Sequence, residues 1–394
     1  MRLHFIALFV LCSLLIAACG TKKQNVVPTI NVQSDQIMFT TYDYMNKFVK
    51  LYSFDFGTKS IKELNHISGS SDSIAFQTND RFGDIKDFYL VERFSSEKNS
   101  RVTHYNKSER QNQYTSFPMN MKDMIFFNDE LISIGYDKGE IIKTDLSLKT
   151  KLPLTAIKKL EHTPDEASIS DKNINSVLIV NERVFLVSVG SYSKDDKGKS
   201  DKFPKIYLLN DELTSVEKSW PIQNCFNAAS QQRVIDKSKL LLSCDPNYGM
   251  KSDYPSLVLI NAAAIDISEN LLSSNAEKIL NSNSFTSPNI YQVSLSGVSK
   301  DKKSIFITEY SSYQVVDKSY WLNLENNVVT QVNNVAEHVF YNKKNDSYIF
   351  NCYFIDGKCE KDKFVISKYM DGRNPEFVNA KIYGFFTGFP KVLN

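Results

Sequence analysis

A short β-strand pattern that ends in Asp or Asn recurs along the chain, and it constrains the fold more than any other feature. Each copy is a run of β-branched, aromatic and aliphatic residues, followed by turn residues and then by another short strand pattern. The seven copies are Leu51–Asp55, Val102–Asn106, Ile141–Asp145, Ile206–Asn210, Leu257–Asn261, Tyr320–Asn323 and Val365–Asp371. An Asp or Asn side chain can bond the backbone two residues further on and start a tight turn. The pattern therefore predicts seven repeated hairpins.

The spacing of these hairpins predicts a ring of small sheets. The terminal Asp or Asn recurs at intervals of 39 to 65 residues, which scatter around the length of a four-stranded β-propeller blade. In the sixth unit the other three strands are visible as Ile290–Leu295, Ser304–Tyr310 and Val328–Val332. We therefore expect an all-β fold in which residues 29–394 form one seven-bladed β-propeller. A six-bladed or eight-bladed ring and a pair of β-sandwiches are alternatives that the pattern leaves open.

Two further predictions concern how the ring closes and where the β pattern is interrupted. The first unit lacks an innermost strand before Ile37–Thr41, and the apolar segment Lys381–Phe389 is left over after the last unit. We expect the leftover segment to fill that position and close the ring. Short helices are predicted at Leu154–Glu161 and Ile265–Leu280, because apolar residues there follow helical spacing. In the second helix these residues are Leu271, Leu272, Ala276 and Ile279.

The N-terminal residues carry an export pattern. Arg2 precedes the apolar run Phe5–Ile16, which is too short to span a bilayer, and the small residues Ala17 and Ala18 come directly before Cys19. This arrangement resembles the lipobox of bacterial lipoproteins. The resemblance implies that residues 1–18 are a signal peptide, that Cys19 becomes a lipidated N-terminus, and that residues 19–28 form a tether. An ordinary cleaved signal with a chance cysteine is the alternative.

The same resemblance implies where the protein resides. Two or more acyl chains on Cys19 would hold it stably at a membrane without a transmembrane segment. Gly20 follows Cys19, whereas many Gram-negative lipoproteins that stay in the inner membrane have Asp there. The resemblance therefore implies the cell envelope, and the outer membrane if the cell is Gram-negative.

The cysteine count agrees with an exported protein. Cys12 would leave with the signal peptide and Cys19 would carry lipid, so an even set of four remains. Pairing by neighbourhood predicts two disulfides, Cys225 with Cys244 and Cys352 with Cys359. The two other pairings stay open. A zinc site is the rival interpretation, although no two of these cysteines have the spacing C-x2-4-C.

Propeller strand order places both predicted disulfides on one face of the ring. Connections between blades emerge on the same side as those between the second and third strands of a blade. Three long loops are expected there, Ser191–Phe203, Asp245–Tyr254 and Ser311–Ser319. The candidate binding residues in or beside them are Tyr192, Asp195, Asp201, Tyr248, Tyr254, Tyr310 and Tyr313. Tyrosine offers apolar area with a polar tip, which suits a binding surface. The alternative is solvated loops that the disulfides merely brace.

Residues for catalysis are sparse. His66, His104, His162 and His338 are scattered without paired spacing, so we expect them at the surface or in turns rather than as ligands. Neither a nucleophile elbow nor a phosphate loop occurs, and residues 195–201 match an EF-hand loop poorly. We therefore predict no catalytic residue, no metal site and no cofactor. The two tryptophans, Trp220 and Trp321, fall in strand patterns and are expected in the core.

Charge and composition narrow the function classes. The formal net charge is +2, so there is no strong field to attract nucleic acid. Three hypotheses remain for what we expect to be a monomeric ring. The favoured one is a membrane-anchored scaffold that binds an envelope protein or peptide. The others are a binder of a small envelope ligand such as a glycan, and a hydrolase or lyase with its site in the central funnel.

Overall fold

The fold is given by a computed structural model. It describes residues 36–43, 45–68, 72–79, 85–94, 99–106, 113–135, 141–145, 148, 174–180, 182–188, 204–213, 216–222, 227–236, 239–245, 256–261, 276–280, 292–312, 315–326, 328–332, 336–355, 358–379, 382, 385–386 and 391–392. The predicted signal peptide, Cys19 and the tether lie outside these residues. Every regular element in the described part is a β-strand, so this part holds no helix that could cross a membrane.

The described strands fall into seven groups along the chain. The first four groups are β1 (Gln36–Asp43), β2 (Phe48–Asp55) and β3 (Ser60–Ser68); β4 (Asp72–Asn79), β5 (Ile85–Phe94), β6 (Asn99–Asn106) and β7 (Gln113–Phe117); β8 (Met121–Phe127), β9 (Glu130–Gly135) and β10 (Ile141–Asp145); and β11 (Ile174–Val180), β12 (Arg183–Ser188), β13 (Lys205–Leu209) and β14 (Val216–Pro221). The other three groups are β15 (Asn227–Asp236), β16 (Lys239–Asp245), β17 (Ser256–Asn261) and β18 (Ala276–Leu280); β19 (Gln292–Val298), β20 (Ser304–Ser312), β21 (Val315–Asn323) and β22 (Val329–Gln331); and β23 (His338–Asn342), β24 (Ser347–Ile355), β25 (Lys358–Ser367) and β26 (Glu376–Asn379). Two short strands, β27 (Phe385–Phe386) and β28 (Lys391–Val392), follow these groups.

Each group forms one antiparallel sheet, and the two last strands join the first two sheets. Hydrophobic clusters join each sheet to the next. Residues that share such a cluster are Val91 with Met124, Ile132 with Leu186, Trp220 with Leu242, Leu257 with Leu295, and Trp321 with Phe350. A further cluster joins the seventh, first and second sheets, with Phe39 and Phe364 ring centroids 5.3 Å apart. The sheets therefore close into a ring, and the fold is an all-β propeller.

The number of complete blades differs from the prediction of seven. Six sheets have four or more strands, whereas the third sheet has three, β8 to β10, in the described part of the chain. Residues 149–173, which follow that sheet in the chain, lie outside the described residues. The repeat pattern marks one particular strand in each unit, and it carries no information on whether a further strand pairs with it. It therefore overestimated the number of four-stranded blades.

The repeated Asp or Asn marks the third strand of every sheet. The predicted strands coincide with β2, β6, β10, β13, β17, β21 and β25. The turn chemistry is also as predicted at several of them. Asp55 Oδ1 accepts the Thr58 N–H at 2.8 Å, and Asn323 Oδ1 accepts the Glu325 N–H at 2.9 Å. The bond from Thr58, opposed by partial burial, lowers the pKa of Asp55.

The C-terminal segment closes the ring as expected. Strand β27 pairs antiparallel with β1, with Phe385 opposite Tyr42 and Phe386 opposite Thr41. It therefore supplies the innermost strand that the first unit lacked. The four strands predicted for the sixth unit are confirmed as β19 to β22.

The helix predicted at Ile265–Leu280 is wrong over its last five residues. Ala276–Leu280 is strand β18, whose Ala276 pairs with Ile260 on β17. Ala, Glu, Lys and Leu favour helices locally, but the open edge of β17 offers a ladder of backbone partners that overrides this preference. Leu271, Leu272 and the helix predicted at Leu154–Glu161 lie outside the described residues.

The loop predicted at Ser311–Ser319 is also wrong. Strand β20 continues to Ser312 and β21 begins at Val315, with register irregularities around Tyr310. Bulges let a ladder continue through a polar stretch that looks like a loop in sequence. In contrast, both tryptophans lie in the core as predicted. Trp321 Nε1 also donates to the Met370 carbonyl oxygen at 2.7 Å, which ties the sixth sheet to the seventh.

Candidate functional site

The ring has two faces of different construction. We call the face that carries the Asp or Asn hairpins between third and fourth strands the turn face, and the opposite one the loop face. The loop face receives the connections between second and third strands and those between consecutive sheets. Since the strands alternate in direction, this division holds for every sheet.

Neighbouring sheets are joined at the turn face by ion pairs between turns. Lys59 of the first sheet pairs with Glu376 of the seventh at 2.5 Å, and Lys300 of the sixth pairs with Asp346 of the seventh at 2.8 Å. Both pairs are exposed, so each adds little stability. They nevertheless show that adjacent turns on this face lie within side-chain reach of one another.

The loop face has long connections within the fourth and fifth sheets. Residues 189–204 join β12 to β13, and residues 246–255 join β16 to β17. A short connection at this face is the β1–β2 turn. There Asp43 Oδ1 accepts the N–H groups of Met45 at 3.0 Å and Asn46 at 3.1 Å. The Met45 side chain is 91% exposed, the highest value among the large apolar residues in the described part of the chain.

A buried ion pair supports the loop face between the first and second sheets. Glu92, 1% exposed, lies directly opposite Arg101 on the neighbouring strand. The carboxylate accepts two bonds from the guanidinium, from Nε and from Nη2, each at 2.6 Å. Burial lowers the pKa of Arg101, but the bonds and charge of Glu92 outweigh this and raise it. The pair was not predicted, although opposite charges on two strands joined by a short connection were a usable signal.

The sixth sheet carries a second polar cluster near the same face. Glu309 is fully buried, and the Tyr320 hydroxyl donates to its Oε2 at 3.4 Å. On the opposite side of the sheet, the Tyr310 hydroxyl donates to Glu337 Oε1 at 3.5 Å. Burial, and next the negative charge of Glu337, raise the pKa of the Tyr310 phenol. Tyr310 therefore stays neutral and acts as a hydrogen-bond donor.

Tyr310 is the only predicted binding residue within the described part of the chain, and it lies on strand β20 rather than in a loop. Tyr192, Asp195, Asp201, Tyr248, Tyr254 and Tyr313 all lie outside the described residues.

Two of the predicted disulfide positions can be placed on the backbone of the seventh sheet. Cys359 on β25 lies opposite Phe354, two residues along β24 from Cys352, so the two cysteines are not directly facing. In the fifth sheet, Cys244 is buried at the end of β16 and is disulfide-bonded. Its predicted partner Cys225 lies outside the described residues. Both pairings therefore stay predictions.

His104 departs from its predicted place at the surface. It is buried between the second and third sheets, where its Nε2 lies 2.9 Å from Asp87 Oδ1 and its ring stacks on Tyr89 with centroids 4.4 Å apart. Tyr89 and Asp87 belong to the neighbouring strand β5, so the spacing of His104 in the sequence could not show its burial. His338 is half-buried on β23, and His162 lies outside the described residues.

No potential metal centre is present in the described part of the chain, in the sense of three or more clustered His, Cys, Asp or Glu side chains. The polar groups near the loop face instead pair with one another: Glu92 with Arg101, Tyr320 with Glu309 and Tyr310 with Glu337. Paired polar groups of this kind can stabilise the shape of the loop face, and those at its edge can donate or accept hydrogen bonds.

Comparison with known proteins identifies the class. No family model matches the chain, and no relative was found among curated proteins. Among solved structures it is similar to the β-propeller domain of the Trilobed protease from Pyrococcus furiosus, with 9% identity over 89% of this chain and 96% of that one and a TM-score of 0.50. It also resembles Kuenenia stuttgartiensis hydrazine synthase, with 8% identity over 92% of this chain and 100% of that one and a TM-score of 0.48. For Pyrococcus horikoshii acylaminoacyl peptidase the identity is 14% over 79% of this chain and 47% of that one, with a TM-score of 0.43. At these identities the similarity shows the fold alone. The chain is a β-propeller protein.

Proposed function

We propose that this protein is an envelope lipoprotein, anchored through Cys19, whose propeller binds another envelope protein or a peptide at the loop face. The anchor rests on the resemblance of residues 1–19 to a lipoprotein signal. The tether would hold the ring near the membrane, within reach of other envelope proteins.

The observation that carries the binding proposal is the difference between the two faces. Tight Asp and Asn turns and paired charges occupy most of the turn face, and the exception is the connection of residues 262–275 between β17 and β18. The loop face instead has long connections over a rigid, hydrogen-bonded support, and loops on a rigid scaffold are where binding residues concentrate. Met45 adds an exposed apolar side chain on an ordered turn, which is a feature of protein interfaces.

The anchor is tested by replacing Cys19 with alanine. We expect the wild-type precursor to incorporate a fatty-acid probe and to sediment with membranes, whereas the Cys19→Ala form should remain unlabelled. Cys12→Ala is the matched control, because Cys12 would leave with the signal peptide, and it should label like the wild type. Equal labelling of wild type and Cys19→Ala would contradict the anchor.

The binding face is tested by placing a photo-crosslinking amino acid on either side of the ring in the lipidated protein. Position Met45 samples the loop face, and Val328, which is 52% exposed, samples the turn face. We expect crosslinks to a distinct envelope protein from position 45 and few from position 328. Equal yields at both positions would contradict a loop-face site. Binding to a glycan array without any protein crosslink would favour the glycan hypothesis, and turnover of an ester or glycoside would favour the enzyme.

A further inference from the structure

One side of the turn face is positively charged. Four turns of the sixth and seventh sheets, which we call the basic turns, join β19 to β20, β21 to β22, β23 to β24 and β25 to β26. They contain seven basic residues, all exposed, and four acidic ones, a difference of +3. The basic residues are Lys300, Lys302, Lys303, Lys343, Lys344, Lys368 and Arg373, and the acidic ones are Asp301, Glu325, Asp346 and Asp371. Lys59 and Glu376, which pair beside these turns, leave the difference unchanged.

The side of the turn face across the ring is negatively charged. In the third and fourth sheets the corresponding connections are residues 128–129, 181–182 and 210–215. Their sequence has no basic residue and four acidic ones, Asp129, Glu182, Asp211 and Glu212. Even with Arg183, which starts β12 and pairs with Asp211, acidic side chains are in excess there. The small net charge of the whole chain does not show this separation of charge.

Exposed apolar side chains lie among the basic turns. Val328, just before β22, is 52% exposed, and Tyr369, between β25 and β26, is 42% exposed. The Arg373 guanidinium carbon lies 4.4 Å from the centroid of the Tyr369 ring. The two turns are neighbours, because the carbonyl oxygen next to Tyr369, that of Met370, accepts the Trp321 Nε1–H near the end of β21. The basic turns therefore present positive charge and apolar area together.

Hydrogen bonds between the sixth and seventh sheets fix two of these turns relative to each other. Lys300 Nζ pairs with Asp346 at 2.8 Å, and the Tyr341 hydroxyl donates to the same carboxylate at 2.7 Å. The Lys300 backbone N–H donates to the Tyr348 hydroxyl at 3.1 Å. Because the turns are already held in place, binding at this surface would cost little conformational entropy.

We propose that the basic turns are a docking surface for a membrane that contains anionic phospholipids. Anionic headgroups attract Lys and Arg at a membrane surface, and the attraction grows with each basic residue. Tyrosine and aliphatic side chains are favourable at the boundary between headgroups and acyl chains. A nucleic acid offers the phosphates but no apolar layer that would accept Val328. The proposal requires neither a lipid on Cys19 nor a partner at the loop face.

The test uses the full-length chain and vesicles that carry a trace of a phospholipid with a photoreactive headgroup. One set of vesicles is phosphatidylcholine alone, and the other contains about one third phosphatidylglycerol. Mass spectrometry maps the labelled residues after illumination. With the anionic vesicles, we expect about tenfold more label on the basic turns than on the β1–β2 turn of the loop face. The label on the basic turns should fall about tenfold with neutral vesicles, and also at high salt, which screens exposed charges.

Charge reversal separates the basic turns from the rest of the chain. Lys302→Glu should lower their labelling by the anionic vesicles several-fold, and Lys302→Glu combined with Lys343→Glu should lower it about tenfold. Lys47→Glu is the matched control, because Lys47 is exposed on the loop face and, like Lys302, has a positive φ. It should leave the labelling of the basic turns unchanged. Lys302→Gln with Lys343→Gln adds no negative charge and should give a smaller decrease than the glutamate pair.

Several results would overturn the proposal. They are equal labelling of the two faces, equal labelling by neutral and anionic vesicles, and unchanged labelling of a double variant that unfolds cooperatively. If the glutamate variants do not fold, the comparison of the two vesicle compositions with the unmodified chain still decides the question. A protein crosslinked in quantity from position 328 would assign this surface to a protein partner instead. Lipid labelling is measured without another protein, so its outcome does not depend on binding at the loop face.

Discussion

Replacing Arg101 with methionine should lower the free energy of unfolding by about 3 to 5 kcal/mol, which is typical when one partner of a buried ion pair is removed. Glu92 is almost completely buried, and both guanidinium bonds to it are 2.6 Å long. Without Arg101, the carboxylate would stay in the interface between the first and second sheets, and its remaining hydrogen bond among the described residues would be the one from the Thr103 hydroxyl, at 3.4 Å. Urea unfolding followed by circular dichroism at neutral pH measures the change.

A double-mutant cycle separates the pair from the loss of packing. Glu92→Met with Arg101→Met should be clearly more stable than Arg101→Met alone, because no unpaired charge is then buried. Lys303→Met is the matched control, since Lys303 forms an exposed pair with Glu325 at 2.9 Å, and it should leave the free energy of unfolding almost unchanged. If Arg101→Met and Lys303→Met had the same effect, the buried pair would not support the interface.

Gly297→Ala should destabilise the ring by about 2 to 3 kcal/mol, because added volume at a tight backbone contact forces neighbouring elements apart. Gly297 lies on β19 where it packs against β23 of the next sheet. An added Cβ would lie 2.6 Å from the Val339 carbonyl oxygen and would also collide with Val339 Cγ1. The side chain could rotate away, but the carbonyl belongs to the backbone of β23, so the two sheets would have to separate. Thermal unfolding monitored by calorimetry measures the loss.

Gly57→Ala is the matched control for this prediction. Its added Cβ would lie 3.4 Å from Asp55 Oδ1, which is an ordinary contact in an exposed turn. We expect a change within about 0.5 kcal/mol. A shift in melting temperature for Gly297→Ala no larger than that for Gly57→Ala would show that the sixth and seventh sheets are not closely packed at this point.

The hairpin positions could be predicted from sequence because their cause is local. Asp55 and Asn323 bond N–H groups two or three residues further on, so the residues that start these turns are contiguous in the chain. The same is true of the third strands that precede them. The four strands of the sixth unit and the core position of Trp321 follow from similar local patterns of apolar residues.

The polar side chains near the loop face could be predicted from the sequence only in part. The residue type of Tyr310 indicates a binding surface, yet its position on β20 and its bond to Glu337 depend on a bulged strand and on the next sheet. The sequence does not single out Glu92 and Arg101, because each looks like an exposed charge on a half-buried strand. His104 looked like a surface residue for the same reason. The groups that surround these side chains belong to neighbouring strands and sheets, so the local sequence does not reveal them.

The sequence by itself determined that the chain is a repeated all-β structure with a turn signal at the end of each third strand, because turn chemistry and strand periodicity act over a few residues. The tertiary structure decided which edges the remaining segments would pair with. Ala276–Leu280 became a strand on β17, Phe385–Phe386 completed the first sheet, and Lys391–Val392 joined the second. Backbone hydrogen bonding to a sheet edge depends little on side-chain identity, so only the folded ring determines which edge each segment meets.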